Sequence, residues 1–204
     1  KEKKKKAGPA MDPDQLQQLV EEARSGDVDS FQRLYDAFGR KIVNYLFRMT
    51  GSRDEAEDLA QDTFILAFRK LHTLKDPRKF QSWLFRIAQN NVYQKYRGKK
   101  PVIESLDEED ADELSDIQRF STEQLGPEAS VLSDELEQII RESIAELPEK
   151  YKTVFVLSAV QKMSYLEISE IVGRSLASVK SDIHRARVSV RDKIKKYLGV
   201  NYGM

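Results

Sequence analysis

The chain has 204 residues, with 34 Lys and Arg balancing 34 Asp and Glu, and it has no cysteine. That length allows one or two domains, and the absence of thiols excludes disulfides and thiolate metal sites and suits a reducing cytoplasm. No apolar run approaches the ~18 residues of a spanning helix, so membrane insertion is not expected.

Residues 1–10, a lysine run followed by Gly8-Pro9, lack the apolar stretch of a secretory signal and read as a tag or a disordered basic tail ahead of Met11. Nearly every later segment carries the 3.6-residue apolar period and none alternates as a strand does, which predicts an all-α protein. Helices are expected over 13–25, 29–49, 53–71 and 78–97, separated by the turn signals Ser25-Gly26-Asp27, Thr50-Gly51-Ser52 and Asp76-Pro77. Ser52 and Asp54 stand where an N-cap and a first-turn acid belong.

In the third helix Ala56, Leu59, Ala60, Phe64, Ala67, Phe68 and Leu71 form an apolar stripe, while Asp54, Asp58, Gln61 and Asp62 share an exposed side. Acids near a helix start often only complement its dipole. Paired carboxylates also serve acid/base or metal chemistry, but no His lies near them in sequence and no second acidic motif has ligand spacing. A polar face turned to a protein partner fits better. In the fourth helix Phe80, Leu84, Ile87 and Ala88 make the stripe, and Trp83, Arg86 and Asn90 follow one another at three and four residues on the opposite side. An aromatic beside a base and an amide can stack on and bond an unpaired nucleobase. On composition alone, Trp83 is the better core candidate.

Periodicity fails from Pro101 to about residue 131, where Asp/Glu runs, Ser and Gly126-Pro127 replace large apolar side chains. Such a stretch reads as a flexible acidic linker, extended by its own repulsion. Helical periods return over 133–146, 148–160, 165–172 and 175–198, with Gly173 placed as a C-cap and Ser175 as an N-cap. A short helix, a Gly-containing turn and a longer helix make a helix-turn-helix layout. In the last helix Val179, Ile183, Ala186, Val190 and Ile194 should face the core. Ser178, Lys180, Ser181, His184, Arg185 and Arg187 occupy the other side, suited to base edges and phosphates in a major groove. An ordinary amphipathic surface helix shows the same pattern; the preceding helix-turn favours DNA. Charge is segregated along the chain in the same sense. Lys75, Arg78, Lys79, Arg86, Lys95, Arg97, Lys99 and Lys100 form one basic block, and Arg185, Arg187, Arg191, Lys193, Lys195 and Lys196 another, on either side of the acidic linker. Two basic blocks form an electrostatic footprint for two nucleic-acid contacts.

Several motifs in order resemble one family. Glu55-Ala-Glu-Asp-Leu-Ala-Gln-Asp-Thr-Phe64 is similar to region 2.2 of the extracytoplasmic-function (ECF) sigma factors, and Phe80-Gln-Ser-Trp-Leu-Phe-Arg-Ile-Ala-Gln-Asn90 to regions 2.3 and 2.4. Leu147-Pro-Glu-Lys-Tyr151 and Ser164-Tyr-Leu-Glu-Ile-Ser-Glu-Ile-Val-Gly173 resemble regions 4.1 and 4.2, and Ser178-Val-Lys-Ser-Asp-Ile-His-Arg-Ala-Arg187 the recognition helix. The resemblance spans residues 14–198 and implies two helical domains, region 2 over 11–100 and region 4 over 132–204, joined by the linker at 101–131. It implies a stress-response transcription factor that directs core RNA polymerase to promoters, without catalysis or cofactor. Asp58, Gln61 and Asp62 would dock on the β′ clamp coiled coil, and Leu147, Tyr151, Val154 and Phe155 would seat region 4 on the β flap. The loop from Lys75 to Phe80, with Lys79 and Phe80, and the Trp83/Arg86/Asn90 face would capture a base flipped from single-stranded −10 DNA. The last helix, with Ser175, Ser178, Lys180, Ser181, His184, Arg185 and Arg187, would read the −35 duplex. An anti-sigma partner is implied as well. The linker would thread the polymerase cleft, its acidity keeping it off nucleic acid.

Two residues depart from the family pattern, which usually has a base where Asp182 stands and a Gly near Ala177. An acid on the reading helix would repel phosphate or accept from a cytosine amine, so Asp182→Arg is expected to strengthen non-specific DNA binding. Promoter elements about 25 base pairs apart lie roughly 80 Å apart along B-DNA, and a linker of about 30 residues reaches roughly 100 Å when extended. Two other functional classes remain to be weighed. A stand-alone regulator would bind a palindrome tightly as a dimer. An enzyme would need a nucleophile–base pair, a phosphate loop or a metal motif, and His72 and His184 are isolated.

Overall fold

Local signals of the expected kind start and stop the helices. In a computed structural model, residues 12–97 and 129–197 are described. The basic start at 1–10 and most of the linker expected over 101–131 lie outside them. Of the described residues, 12–97 fall in one compact unit and nearly all of 129–197 in a second. Among the described residues there is no strand.

The first unit is built from α1 (Pro13–Arg24), α2 (Val28–Thr50), α3 (Arg53–Lys70) and α4 (Phe80–Arg97). Pro occupies the first turn of α1, where no intrahelical donor is lost. Asp27 caps α2 by accepting from the Ser30 amide, and Ser52 caps α3 by accepting from the Glu55 amide, each satisfying an otherwise orphaned donor. Between them Gly51, at φ 77°, ends α2 in the left-handed conformation that glycine adopts without strain. Two 3-10 turns, Leu71–Thr73 and Pro77–Lys79, carry the chain from α3 to α4.

The core joins Leu34, Phe38, Ile42, Tyr45 and Leu46 of α2 to Phe80, Leu84, Phe85 and Ala88 of α4. Phe38 meets Phe80, and Tyr45 meets Phe85, edge-to-face with centroids 5.4 Å apart. Two polar links lie inside it. The Tyr45 hydroxyl donates to Gln89 Oε1. Asn91 Nδ2 donates to Thr63 Oγ1 (3.0 Å), which donates in turn to the Leu59 carbonyl (2.6 Å). Buried polar groups of this kind hold a packing arrangement because leaving one unpaired costs about 1–3 kcal/mol.

The second unit contains α5 (Ala129–Ala145), α6 (Glu149–Phe155), α7 (Tyr165–Val172) and α8 (Leu176–Tyr197). Helix α5 begins four residues before the expected start at 133, inside the end of the expected linker. Helix α6 does not continue as one regular helix to residue 160; over Val156–Val160 it widens to a π-helical turn. The widening lets Val154, Phe155, Val156 and Leu157 all bury, more consecutive positions than one face of a regular helix offers. Lys162, at φ 58°, closes the segment. A full capping box follows, in which the Glu167 amide donates to Ser164 Oγ (3.3 Å) and the Ser164 amide donates to Glu167 Oε2 (2.8 Å). The turn expected between α7 and α8 is present: Gly173 is left-handed at φ 68°, and Ser175 Oγ accepts from the Ser178 amide.

Replacing Ser164 by Ala removes one half of the capping box. Urea denaturation of the Ser164→Ala protein should show a loss of about 1 kcal/mol; an unchanged midpoint would mean that water substitutes for the hydroxyl.

Candidate functional site

Three surfaces gather the polar side chains singled out above. On α3, Asp58, Gln61 and Asp62 are all exposed, at spacings that put them on one side of the helix. Glu55, one turn earlier, is engaged otherwise. It accepts from the Tyr96 hydroxyl (2.5 Å) and pairs with Lys95 (3.3 Å), so the end of α4 is tethered to the start of α3. These bonds hold the Glu55 carboxyl below its ordinary range, the Tyr96 hydroxyl contributing most. The same bond pushes Tyr96 up to about 12.

Beside the acidic side lies a feature that periodicity did not disclose. Phe68, expected in the core stripe, is 49% exposed. With Val28, Phe31, Tyr35, Phe64 and Ile65 it lines an open apolar groove between α2 and α3, with Gln61 at its rim. Phe31 and Tyr35 meet Phe68 and Phe64 edge-to-face at 5.0 and 4.7 Å. Residues 64–68 are apolar without interruption, and a helix packed on neighbours at one face must leave part of such a run in solvent. That run was the available signal.

On α4 the two faces separate cleanly. Leu84, Ile87 and Ala88 are buried, Arg86 and Asn90 are exposed, and Trp83 is half-buried with its ring tilted on that of Phe80, centroids 6.0 Å apart. Phe80 itself is completely buried. Its expected place at a DNA surface is corrected: it belongs to the core and supports Trp83 from beneath. Lys79, in the preceding turn, is exposed. Asp76, the single acid in this basic block, shapes that turn. Its carboxylate accepts from the Arg78 amide (3.1 Å) and takes both Arg78 Nε and Nη2 (3.0 and 3.1 Å). The Arg78 side chain, through its hydrogen bonds, holds the Asp76 carboxyl below its ordinary range.

In the second unit Val179, Ile183, Ala186 and Val190 are buried as the period requires, and Ile194 is half-buried. Ser175, His184 and Arg185 are exposed, whereas Ser178, Lys180, Ser181 and Arg187 are half-buried. Arg185 Nη1 donates to the Tyr151 hydroxyl (3.4 Å). Leu147, Val154 and Phe155 are buried. They lie in the core of the second unit rather than at its surface, whereas Tyr151 is half-buried. Asp182 is corrected more sharply. It is 3% exposed, on the inner face of α8, pairs with Arg174, and lies 3.7 Å from Lys150 Nζ. Its spacing, three after Val179 and four before Ala186, is that of the core stripe; its charge suggested the opposite face. No cluster of metal-ligating side chains occurs among the described residues, His72 and His184 included, and none of their helices is long and apolar enough to cross a membrane.

Comparison with known proteins decides the family. The Sigma-70 region 2 model matches residues 34–101 and the Sigma-70 region 4 model residues 137–190. ECF RNA polymerase sigma factor SigW of Bacillus subtilis is 36% identical over 182 residues, covering 88% of this chain and 97% of SigW. The chain belongs to the ECF RNA polymerase sigma factors. An ECF RNA polymerase sigma-E factor of Haemophilus influenzae is 34% identical over 181 residues, 88% of this chain and 95% of that protein. Among solved structures, CnrH in complex with the cytosolic domain of CnrY shares the fold (TM-score 0.65, 23% identity, 91% of this chain and 99% of that one). So does the sigma factor RpoE in complex with the anti-sigma factor NepR from Bartonella quintana (TM-score 0.59, 21% identity, 85% and 99%). The two helical units of this sigma factor are therefore regions 2 and 4, and its activity is transcription initiation, through polymerase and promoter DNA, rather than catalysis.

Burial of Asp182 reverses the expectation for its replacement. Asp182→Arg would set a base against Arg174 and Lys150, so chemical denaturation should register a loss of at least about 2 kcal/mol, with no gain in duplex affinity. Tighter non-specific DNA binding by a fully stable variant would contradict the buried position.

Proposed function

We propose that this sigma factor holds core polymerase through the exposed Asp58/Gln61/Asp62 side of α3 and the adjoining apolar groove, which face the β′ clamp coiled coil. The −10 element is captured as single strand by Trp83, Arg86, Asn90 and Lys79. The −35 duplex is read by the outer face of α8: Ser175, Lys180, Ser181, His184, Arg185 and Arg187, with Ser178 at its edge. The second unit, with Leu147 and Phe155 in its core, sits on the β flap around Tyr151.

The observation that carries this reading is Trp83. Its ring is half-buried on Phe80 with exposed Arg86 and Asn90 beside it. A half-buried indole tilted against a core aromatic, with an exposed base and an exposed amide three and seven residues further along the helix, offers a surface on which an extruded nucleobase can stack. Unstacking that base costs a few kcal/mol, and the pocket's stacking and hydrogen bonds offset it. Because CnrH and RpoE each occur in complex with another protein, the latter an anti-sigma factor, we extend to this chain a regulator of the same kind that covers its polymerase-facing surfaces. The linker, with acids from Glu104 through Asp116, joins the two readers and avoids nucleic acid.

Run-off transcription with purified core polymerase on a library of promoter fragments tests the whole. Start sites that appear only with this protein, and that share two upstream motifs, are the expected result. Absence of stimulation together with tight binding of the free protein to a palindrome would instead make it a stand-alone regulator. Within that assay Trp83→Ala should reduce open-complex formation by at least about tenfold, the scale of one lost base stack, with polymerase affinity unchanged. Normal opening would remove Trp83 from the −10 site.

A further inference from the structure

We infer that Arg174 is a positioning residue that, through Asp182 and Ser178, sets how α8 presents itself to the −35 duplex and so determines which bases it prefers. This inference rests on the reading of α8 proposed above.

Arg174 stands in the turn between the two helices of the helix-turn-helix, and it is bonded to both. Its backbone amide donates to the Ser169 carbonyl of α7 (3.2 Å), which the Gly173 amide also reaches (2.9 Å). Its side chain turns the other way. Nη2 donates to Ser178 Oγ on the first turn of α8 (2.5 Å) and pairs with the Asp182 carboxylate one turn further on. The Asp182 side chain is 4% exposed and that of Arg174 is 23% exposed. From the far side Lys150, in the first turn of α6, approaches the other carboxylate oxygen (3.7 Å).

The placement has a physical consequence. A carboxylate this deeply buried beside two basic side chains is held only while its partners stay in reach. Apolar contacts at Val179, Ile183 and Ala186 tolerate a small slide or roll of α8 on its neighbours, because dispersion is non-directional. The guanidinium does not, since its hydrogens are fixed in a planar fork. One residue of slip along α8 would amount to about 1.5 Å and about 100° of rotation, enough to exchange one set of base-contacting atoms for another. The outward residues Lys180, Ser181, His184 and Arg185 alternate in sequence with the two positions that Arg174 holds. A change at the buried clamp therefore moves atoms that touch DNA although the clamp itself faces inward. Ser178 Oγ accepts from Arg174, which fixes that side chain at the edge of the reading face.

The test separates positioning from mere stability. In the double variant Arg174→Met/Asp182→Leu the ion pair is replaced by apolar groups of similar length, a change that is often neutral or stabilising. The full-length double variant, bound to core polymerase, is compared with the native protein on promoters carrying a randomised −35 segment and a fixed −10 segment. Thermal denaturation and polymerase affinity serve as controls. A native thermal midpoint with an altered ranking of −35 sequences is expected, discrimination between the best and second-best falling about tenfold, the scale of one base contact. Arg174→Lys, which keeps the charge but not the fork, should fall between the two; it also carries the test if the double variant does not fold. A native ranking in whichever variant folds would overturn the inference and leave the α8 reading standing. A native protein indifferent to the −35 segment would overturn both.

Discussion

Each helix in this protein buries one face in its own unit, and only the opposite face remains for a partner. Among the described residues, the helices of both units bury some positions and expose others. In the core of the first unit α2 meets α4 through Phe38 on Phe80 and Tyr45 on Phe85. That packing turns Arg86 and Asn90 outward. In the second unit the buried stripe of α8 does the same for His184 and Arg185. The exposed polar surfaces are what remains once burial is satisfied, which explains why buried and exposed positions alternate along each helix.

This constraint also explains what could be read from the sequence. Helix ends were legible because caps are local: Ser52, Gly51, Gly173 and Ser175 act within a few residues of their own positions. The two-unit all-α organisation followed from periodicity and from its interruption. The errors came from tertiary neighbours. Phe80 carries the same periodic signature whether it lies beneath Trp83 or beside it, and only packing against Phe38 decides. Phe68 falls on the stripe of α3 and yet lines an open groove, 49% exposed beside Phe31 of α2. Asp182 is the most instructive. Its spacing gave the right face and its charge the wrong one, and the residue that reconciles them, Arg174, stands eight positions earlier on the far side of a turn. A buried acid on a core stripe, with an Arg at the adjacent turn, is a signal that could have been used.

The family relationship and the particular chemistry sit at different depths. SigW matches over nearly its whole length, and CnrH and RpoE share the fold with identities of 23% and 21%. The polar interior is where a member can diverge without losing the fold. The Arg174–Asp182 pair is a buried arrangement of charge that this backbone accommodates.

The pairing of Arg78 with Asp76 has a consequence for how binding responds to ionic strength. A basic side chain that settles on a phosphate releases a condensed cation from the DNA, so affinity falls with salt by roughly one power for each phosphate neutralised. Arg78 already holds a carboxylate through two hydrogen bonds. If it leaves Asp76 for a phosphate, the abandoned carboxylate gathers a cation of its own, and little net ion release results. Arg53 with Glu57 and Lys193 with Glu146 are paired in the same way. The salt exponent of this sigma factor on DNA therefore reports the bases that lack an acidic neighbour, a smaller number than the count of Lys and Arg in its two basic blocks.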